Sequence, residues 1–128
     1  MHRRFSAAFK FKRKPAFLLI GDFNLVLIRK ATFQFKEGKR DEAVAELELI
    51  LKKEVRTAKG FQGYISMVSK DSENEALILT LWEDELSFNT SGILLLAPTV
   101  RKISNTLEKE PHFENFKLSS TEMYLGAR

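Results

Sequence analysis

The chain contains no cysteine, which removes disulfides, thiolate nucleophiles, cysteine-ligated zinc and iron–sulfur clusters from consideration together. Histidine is nearly as scarce: only His2 and His112 occur in 128 residues, so a multi-histidine metal centre within one chain is not expected and no metal site is assigned. No apolar run approaches the ~20 residues that a membrane-spanning helix requires. No internal repeat or low-complexity segment is present. These absences leave a single ordinary domain with 44% apolar residues, a cytoplasmic location by default and no membrane partner.

An excess of positive charge is also missing where it would matter. The formal charge is +4, but six Lys or Arg stand in residues 1–24 against Asp22 alone. The remaining residues hold fifteen basic and sixteen acidic side chains. A nearly neutral body argues against nucleic acid as a partner. The basic segment MHRRFSAAFKFKRKPAFLLIGDFN carries five Phe, and its apolar stretch from Ala16 to Gly21 is stopped by Asp22. It is read as a disordered extension or a start assigned upstream of the natural one near Leu25. A targeting segment or a basic binding arm is the alternative.

From Leu25 the patterning is regular. Leu27, Arg29, Ala31, Phe33 and Phe35 alternate with Val26, Ile28, Lys30, Thr32 and Gln34, as two faces of a strand do. Gly38 suits the turn that follows. Ala43, Val44, Leu47, Ile50, Leu51, Val55 and Ala58 recur at three- and four-residue steps, predicting a helix from Arg40 to Ala58 that Gly60 terminates. Phe61–Ser69 and Glu75–Glu83 read as an antiparallel pair joined by the polar residues 70–74. Asp84 suits the cap of a short helix through Phe88, broken at Thr90-Ser91-Gly92. Pro98 opens a further helix with Val100, Ile103 and Leu107 inward, which Pro111 stops. His112–Ser120 alternates as a last strand.

The order is βαββαβ, a ferredoxin-like α+β protomer with helices on one face of an antiparallel sheet over residues 25–120 and a tail at 121–128. The other face would carry Val26, Ile28, Leu77, Leu79 and Leu81. That is more apolar surface than a monomer tolerates in water, so a symmetric homodimer through the sheet is expected.

The strand ending FKEGK, the helix DEAVAELELILKKEV, the turn GFQGY and the strand ILTLWEDELSF together resemble the antibiotic biosynthesis monooxygenase domains of the dimeric α+β barrel superfamily. The resemblance covers roughly Leu25 to Ser120 and rests on order and spacing, since each motif is short. It implies sheets paired back to back and a small apolar cavity between helices and sheet. It also implies a choice among cofactor-independent oxidation of quinols or polycyclic phenols, heme degradation and unassigned roles. The heme-degrading branch places an Asn, a Trp and a His at positions that fall here on Ala31, Trp82 and near Gly92. Only the Trp matches, so heme is disfavoured and no cofactor is expected. The Asn of some polyketide-tailoring members falls on Ile78, which also fails.

Cofactor-free oxidation needs a base or an anion-stabilising dipole in a dry aromatic pocket. The candidates for a catalytic role are Trp82, His112 and Tyr64. Trp82 stands against an ordinary core Trp whose N–H meets a carbonyl, His112 against an exposed, incidental His, and Tyr64 against a rim or interface Tyr. Phe33, Ala31, Ile78 and Thr80 are candidates for substrate binding, and Arg29 for a substrate anion beside a solvated strand-end role. Met67 and Phe61 are read as core. The reading is an oxygenase of a small aromatic quinol or polycyclic phenol. Its rivals are a non-catalytic dimer of the same fold binding a small apolar or aromatic ligand, and a stress-associated protein with no ligand.

Overall fold

The computed structural model describes residues 17–19 and 26–124. In chain order the elements are β1 (Phe17–Leu19), β2 (Leu27–Gln34), α1 (Arg40–Lys53), β3 (Phe61–Val68), β4 (Glu75–Trp82), α2 (Glu85–Ser91), α3 (Ala97–Lys102), β5 (His112–Lys117) and β6 (Glu122–Tyr124). Strands β2 to β5 form one antiparallel sheet in the order β3-β4-β2-β5, and β1 pairs with β6 separately. The expected ferredoxin-like α+β architecture is therefore present. The pair β1–β6 joins a piece of the basic segment to a piece of the expected tail, while most of residues 1–24 lie outside the described residues.

Register decides which side chains meet. Leu27 stands opposite Trp82, Arg29 opposite Thr80, Ala31 opposite Ile78 and Phe33 opposite Ala76. Because successive side chains alternate across a strand, this register gathers all eight on one face. Helix α1 lays Ala43, Val44, Leu47, Ile50 and Leu51 onto that face, and all five are buried. Phe88 and Ile103 close the core from the second helical connection.

Three boundaries differ from those expected. Helix α1 ends at Lys53, and a tighter turn over Val55–Thr57 follows. There Ala58 N–H donates to the Val55 carbonyl and the Thr57 hydroxyl to that of Glu54, so the freed carbonyls are satisfied without a further α-turn. Gly60 accordingly caps no helix but sits at φ +81 at the entrance to β3.

Asp84 does cap α2, its carboxylate accepting from Ser87 N–H at 2.8 Å. The chain does not break at Gly92, which keeps a helical φ of −61. It continues as a wide π-helical turn over Gly92–Leu96 into α3. Pro98 has no N–H to give the turn before it and its ring crowds the carbonyl four residues back, which accounts for the widening. The helix then stops at Lys102, well before Pro111, which instead precedes β5.

The other sheet face carries the expected apolar side chains, beside an ion pair between Lys30 and Glu114 at 3.2 Å. β2, β4 and their neighbours align Ile28, Leu77 and Leu79 there, with Ile65, Met67 and Phe116 added by the edge strands. Those last three are 42%, 39% and 49% exposed, so Met67 belongs to this open face and not to the core. Val26 and Leu81 differ in being buried already.

Candidate functional site

Between α1, the π-helical turn and the sheet lies a cavity of about 70 Å³. Its floor is Arg29, Ala31, Phe33, Ile78, Thr80 and Trp82, all brought to one face by the β2–β4 register. Leu47, Leu51 and Val55 of the first helical segment wall one side, and Ser91, Leu95, Leu96 and Thr99 of the second wall the other. Six of the eight candidate residues thus meet around one space, in the company of largely apolar walls.

His112 and Tyr64 do not join them. His112 is exposed on the opposite sheet face, paired across from Thr32. Tyr64 is half-buried beside Thr80 and lines a separate shallow depression with Leu51, Lys52 and Arg56. His112 therefore faces away from Trp82, whereas Tyr64 shares the sheet face of Trp82 and Thr80 without lining the cavity.

Trp82 is 2% exposed, its ring tilted against Phe61 at 5.1 Å between centroids. Its indole N–H meets a side-chain hydroxyl where a carbonyl was the alternative: Nε1 donates to Thr80 Oγ1 at 3.0 Å. The polar end of the indole is therefore spent. Thr80 keeps its own hydroxyl hydrogen, which has no acceptor among the described residues, so the donor offered to the cavity is Thr80 rather than Trp82.

Arg29 is not a solvated strand-end residue. It is half-buried, with its guanidinium carbon 4.2 Å from the centroid of the Phe88 ring. Nη1 donates to Ser91 Oγ at 2.9 Å and Nη2 to the Phe88 carbonyl at 2.8 Å, while Ser91 Oγ itself donates to that same carbonyl at 2.7 Å. No carboxylate pairs with it among the described residues. Burial lowers its pKa from the ordinary guanidinium value, though an arginine stays cationic at any pH a protein survives.

Phe88, Ser91 and Gly92, which seat this guanidinium, escape a reading of sequence alone, because the helix is expected to run only through Phe88 and to break at Thr90-Ser91-Gly92. A Cβ at Gly92 would lie 3.0 Å from Nη2 of Arg29, so the missing side chain is what lets the cation approach the helix. The one available signal was the run Phe88 to Gly92 itself, which looks like a helix stop and is instead a seat.

A groove of about 290 Å³ adjoins the cavity, lined by Ala58, Lys59, Leu86, Ser87, Thr90 and Leu94. Trp82, Ser91 and Leu95 line both spaces. Among the described residues no group of three or more His, Asp or Glu is placed to hold a metal ion, and no helix is long and apolar enough to cross a membrane.

Comparison with known proteins agrees with this architecture. No curated protein matches the chain in sequence. Among solved structures, a conserved protein from Methanosarcina mazei superposes with a TM-score of 0.65 at 18% identity, covering 76% of this chain and 96% of that one. A protein of unknown function from Nitrosomonas europaea gives 0.65 at 14%, covering 82% and 100%. SnoaB, a cofactor-independent oxygenase from Streptomyces nogalater, gives 0.58 at 14%, covering 76% and 96%. At these identities the likeness is one of fold. The family model for antibiotic biosynthesis monooxygenase matches residues 27–91, from the start of β2 to the end of α2. That match spans more than half of the sequence, and this chain belongs to the antibiotic biosynthesis monooxygenase family.

Proposed function

We propose that this protein is a cofactor-independent oxygenase that oxidises a single-ring quinol with O2 in the cavity beside Trp82. The observation that carries this reading is the apolar cavity itself, with Thr80 as a hydroxyl donor and Arg29 as a cation at its wall. A hydroquinone and O2 yield a hydroxyquinone and water. The quinol binds as the minor anion that forms by losing its proton to water, held by Arg29 and Thr80; that anion passes an electron to O2, and the two radicals join in a new ring-carbon-to-oxygen bond. The O–O bond then breaks as water leaves, with loss of the ring C–H. The protein's part is to hold the ring, exclude bulk water and hydrogen-bond the quinol oxygen.

Size narrows the substrate. A dry protein cavity that takes one benzene measures about 150 Å³, and common ligand pockets about 300–1,000 Å³. At about 70 Å³ this one admits a single ring after a side-chain movement, and a polycyclic phenol far less readily. The same small volume favours a second reading, a non-catalytic dimer that binds a small apolar or aromatic molecule.

Oxygen uptake separates the two. Wild type should consume O2 with hydroquinone and methylhydroquinone well above the uncatalysed rate and respond little to anthrone. Thr80→Val should lower the rate by about tenfold or more. Absence of turnover by wild type on every quinol would leave the binding reading in place.

The functional unit is proposed to be a homodimer joined through the Ile65, Met67, Leu77, Leu79 and Phe116 face. Support comes from the exposure of Ile65, Met67 and Phe116 on the face that also carries the half-buried Leu77 and Leu79, which in water would cost the protomer about 25 cal/mol for each apolar Å² left uncovered.

A further inference from the structure

We infer that the ligand of the Trp82 cavity is a single-ring aromatic acid whose carboxylate is held by Arg29. This rests on the same cavity being the ligand site, and it specifies what that site selects. Arg29 spends two of its five N–H groups on Ser91 and the Phe88 carbonyl. Nε–H and one N–H on each Nη remain, and none has an acceptor among the described residues. A guanidinium edge offering Nε–H and a neighbouring Nη–H matches the two oxygens of a carboxylate, whereas a phenolate supplies one.

The charge argument points the same way. A half-buried cation without an acid partner is an unusual expense, only partly offset by the Phe88 ring and two hydrogen bonds. An incoming anion would supply the missing charge. None of the residues lining the cavity is a carboxylate or an imidazole, so the site has no base of its own to ionise a phenol. A phenol ordinarily loses its proton near pH 10, as tyrosine does, whereas a carboxylic acid arrives already ionised at pH 7.

Anchoring fits a positioning purpose as well. Ser91 holds Nη1, the Phe88 carbonyl holds Nη2 while the Phe88 ring lies under the guanidinium carbon, and Gly92 gives room. The fork is thus oriented before any ligand arrives. Room for the ring lies past Leu95, which stands between the cavity and the adjoining groove. Leu95 lines both spaces together with Trp82 and Ser91, and its movement would enlarge the cavity toward the groove. In a quinol acid such as 2,5-dihydroxybenzoate, the carboxylate would bind Arg29 while the ring lies against Trp82 and Phe33.

The test compares benzoate with its neutral isostere benzamide by calorimetric titration and thermal shift, in wild type, Arg29→Lys and Arg29→Gln. Wild type should bind benzoate about 10- to 100-fold more tightly than benzamide, the range of charge-assisted hydrogen bonds. Arg29→Gln should bring the ratio to about one, and Arg29→Lys should keep the charge but lose most of the preference with the fork. A purely structural Arg29 would lower the melting temperature in both variants and leave the ratio alone. If Arg29→Gln fails to fold, the wild-type and Arg29→Lys ratios decide. Equal wild-type affinity for acid and amide, no binding of benzoate, or a preference that survives in Arg29→Lys at full strength overturns the inference. Oxygen uptake on 2,5-dihydroxybenzoate and hydroquinone keeps the two proposals apart. Turnover without acid preference leaves the oxygenase standing and removes this inference. Acid binding without turnover does the reverse.

Discussion

The guanidinium of Arg29 lies 4.2 Å over the ring of Phe88 and donates through Nη2 to the carbonyl of that same residue at 2.8 Å. One side chain from the middle of the sheet therefore grips both the face of an aromatic ring and the backbone that carries it. The contact ties β2 to the last turn of α2, where carbonyls begin to lose their helical partners. It also fixes how the π-helical turn hangs over the cavity, because Gly92 begins that turn against the same guanidinium.

Gly92 tests this coupling. On helix propensity alone, alanine should stabilise a helical glycine by roughly 0.5–1 kcal/mol. Its methyl group would stand 3.0 Å from Nη2 of Arg29, so the cation must retreat or the helix must shift. Urea denaturation of Gly92→Ala should show no stabilisation, and the benzoate-to-benzamide preference should fall. A gain of the full propensity value with unchanged ligand preference would mean that the guanidinium is not held against the helix.

Thr80→Val keeps the shape of the floor and removes the acceptor for the Trp82 indole N–H. A buried N–H left without a partner costs about 1–3 kcal/mol, so the variant should unfold at correspondingly lower denaturant. Trp82 is the only tryptophan in the chain, so its fluorescence reports the site directly. The emission spectrum should change in Thr80→Val and not in Thr80→Ser, which restores the hydroxyl. Equal stability of the valine and serine variants would show that the bond contributes nothing.

Most of the sheet was legible because alternation leaves little freedom once one face is buried: Phe33 and Ala31 could go nowhere but the core. The cavity floor followed from that pattern, and Trp82 marked its position. Gly60 was recognised as a stop for the wrong reason. Its φ of +81 and the space taken by Ser87, into which a Cβ would project, belong to the entrance of β3. The course of residues 88–102 was not legible, because Gly and Pro read locally as breaks. Here Pro98 only widened a turn, and Gly92 cleared room for Arg29, far upstream in the sequence, which no local pattern connects to it. His112 failed for a simpler reason, since its strand parity sends it to the face opposite Trp82.

Leu95→Ala should open the cavity to the neighbouring groove. The side chain is half-buried, so its truncation should cost about 1–2 kcal/mol, below the ~2–5 kcal/mol of a fully buried leucine. Binding should move the other way: 2-naphthoate, too large for the wild-type cavity, should bind Leu95→Ala at least as well as benzoate does. Continued exclusion of naphthoate from the variant would place the limiting wall elsewhere.

The exposed sheet face makes the most direct prediction about assembly. Ile65 and Phe116 are 42% and 49% exposed on the two edge strands, flanking Leu77 and Leu79 in the centre. Sedimentation equilibrium at micromolar concentration should return the mass of two chains. Ile65→Glu should return the mass of one, because a dimer would bury its carboxylate without a partner, whereas the protomer leaves it in water. For the same reason the protomer should lose little stability from this change, within about 0.5 kcal/mol. A two-fold interface meets the substitution twice, so the dissociation constant should rise by about 100-fold or more. Ile65→Val, which keeps the surface apolar, should remain dimeric. A monomeric wild type would leave this face to another partner, and a dimeric Ile65→Glu would move the interface away from the sheet.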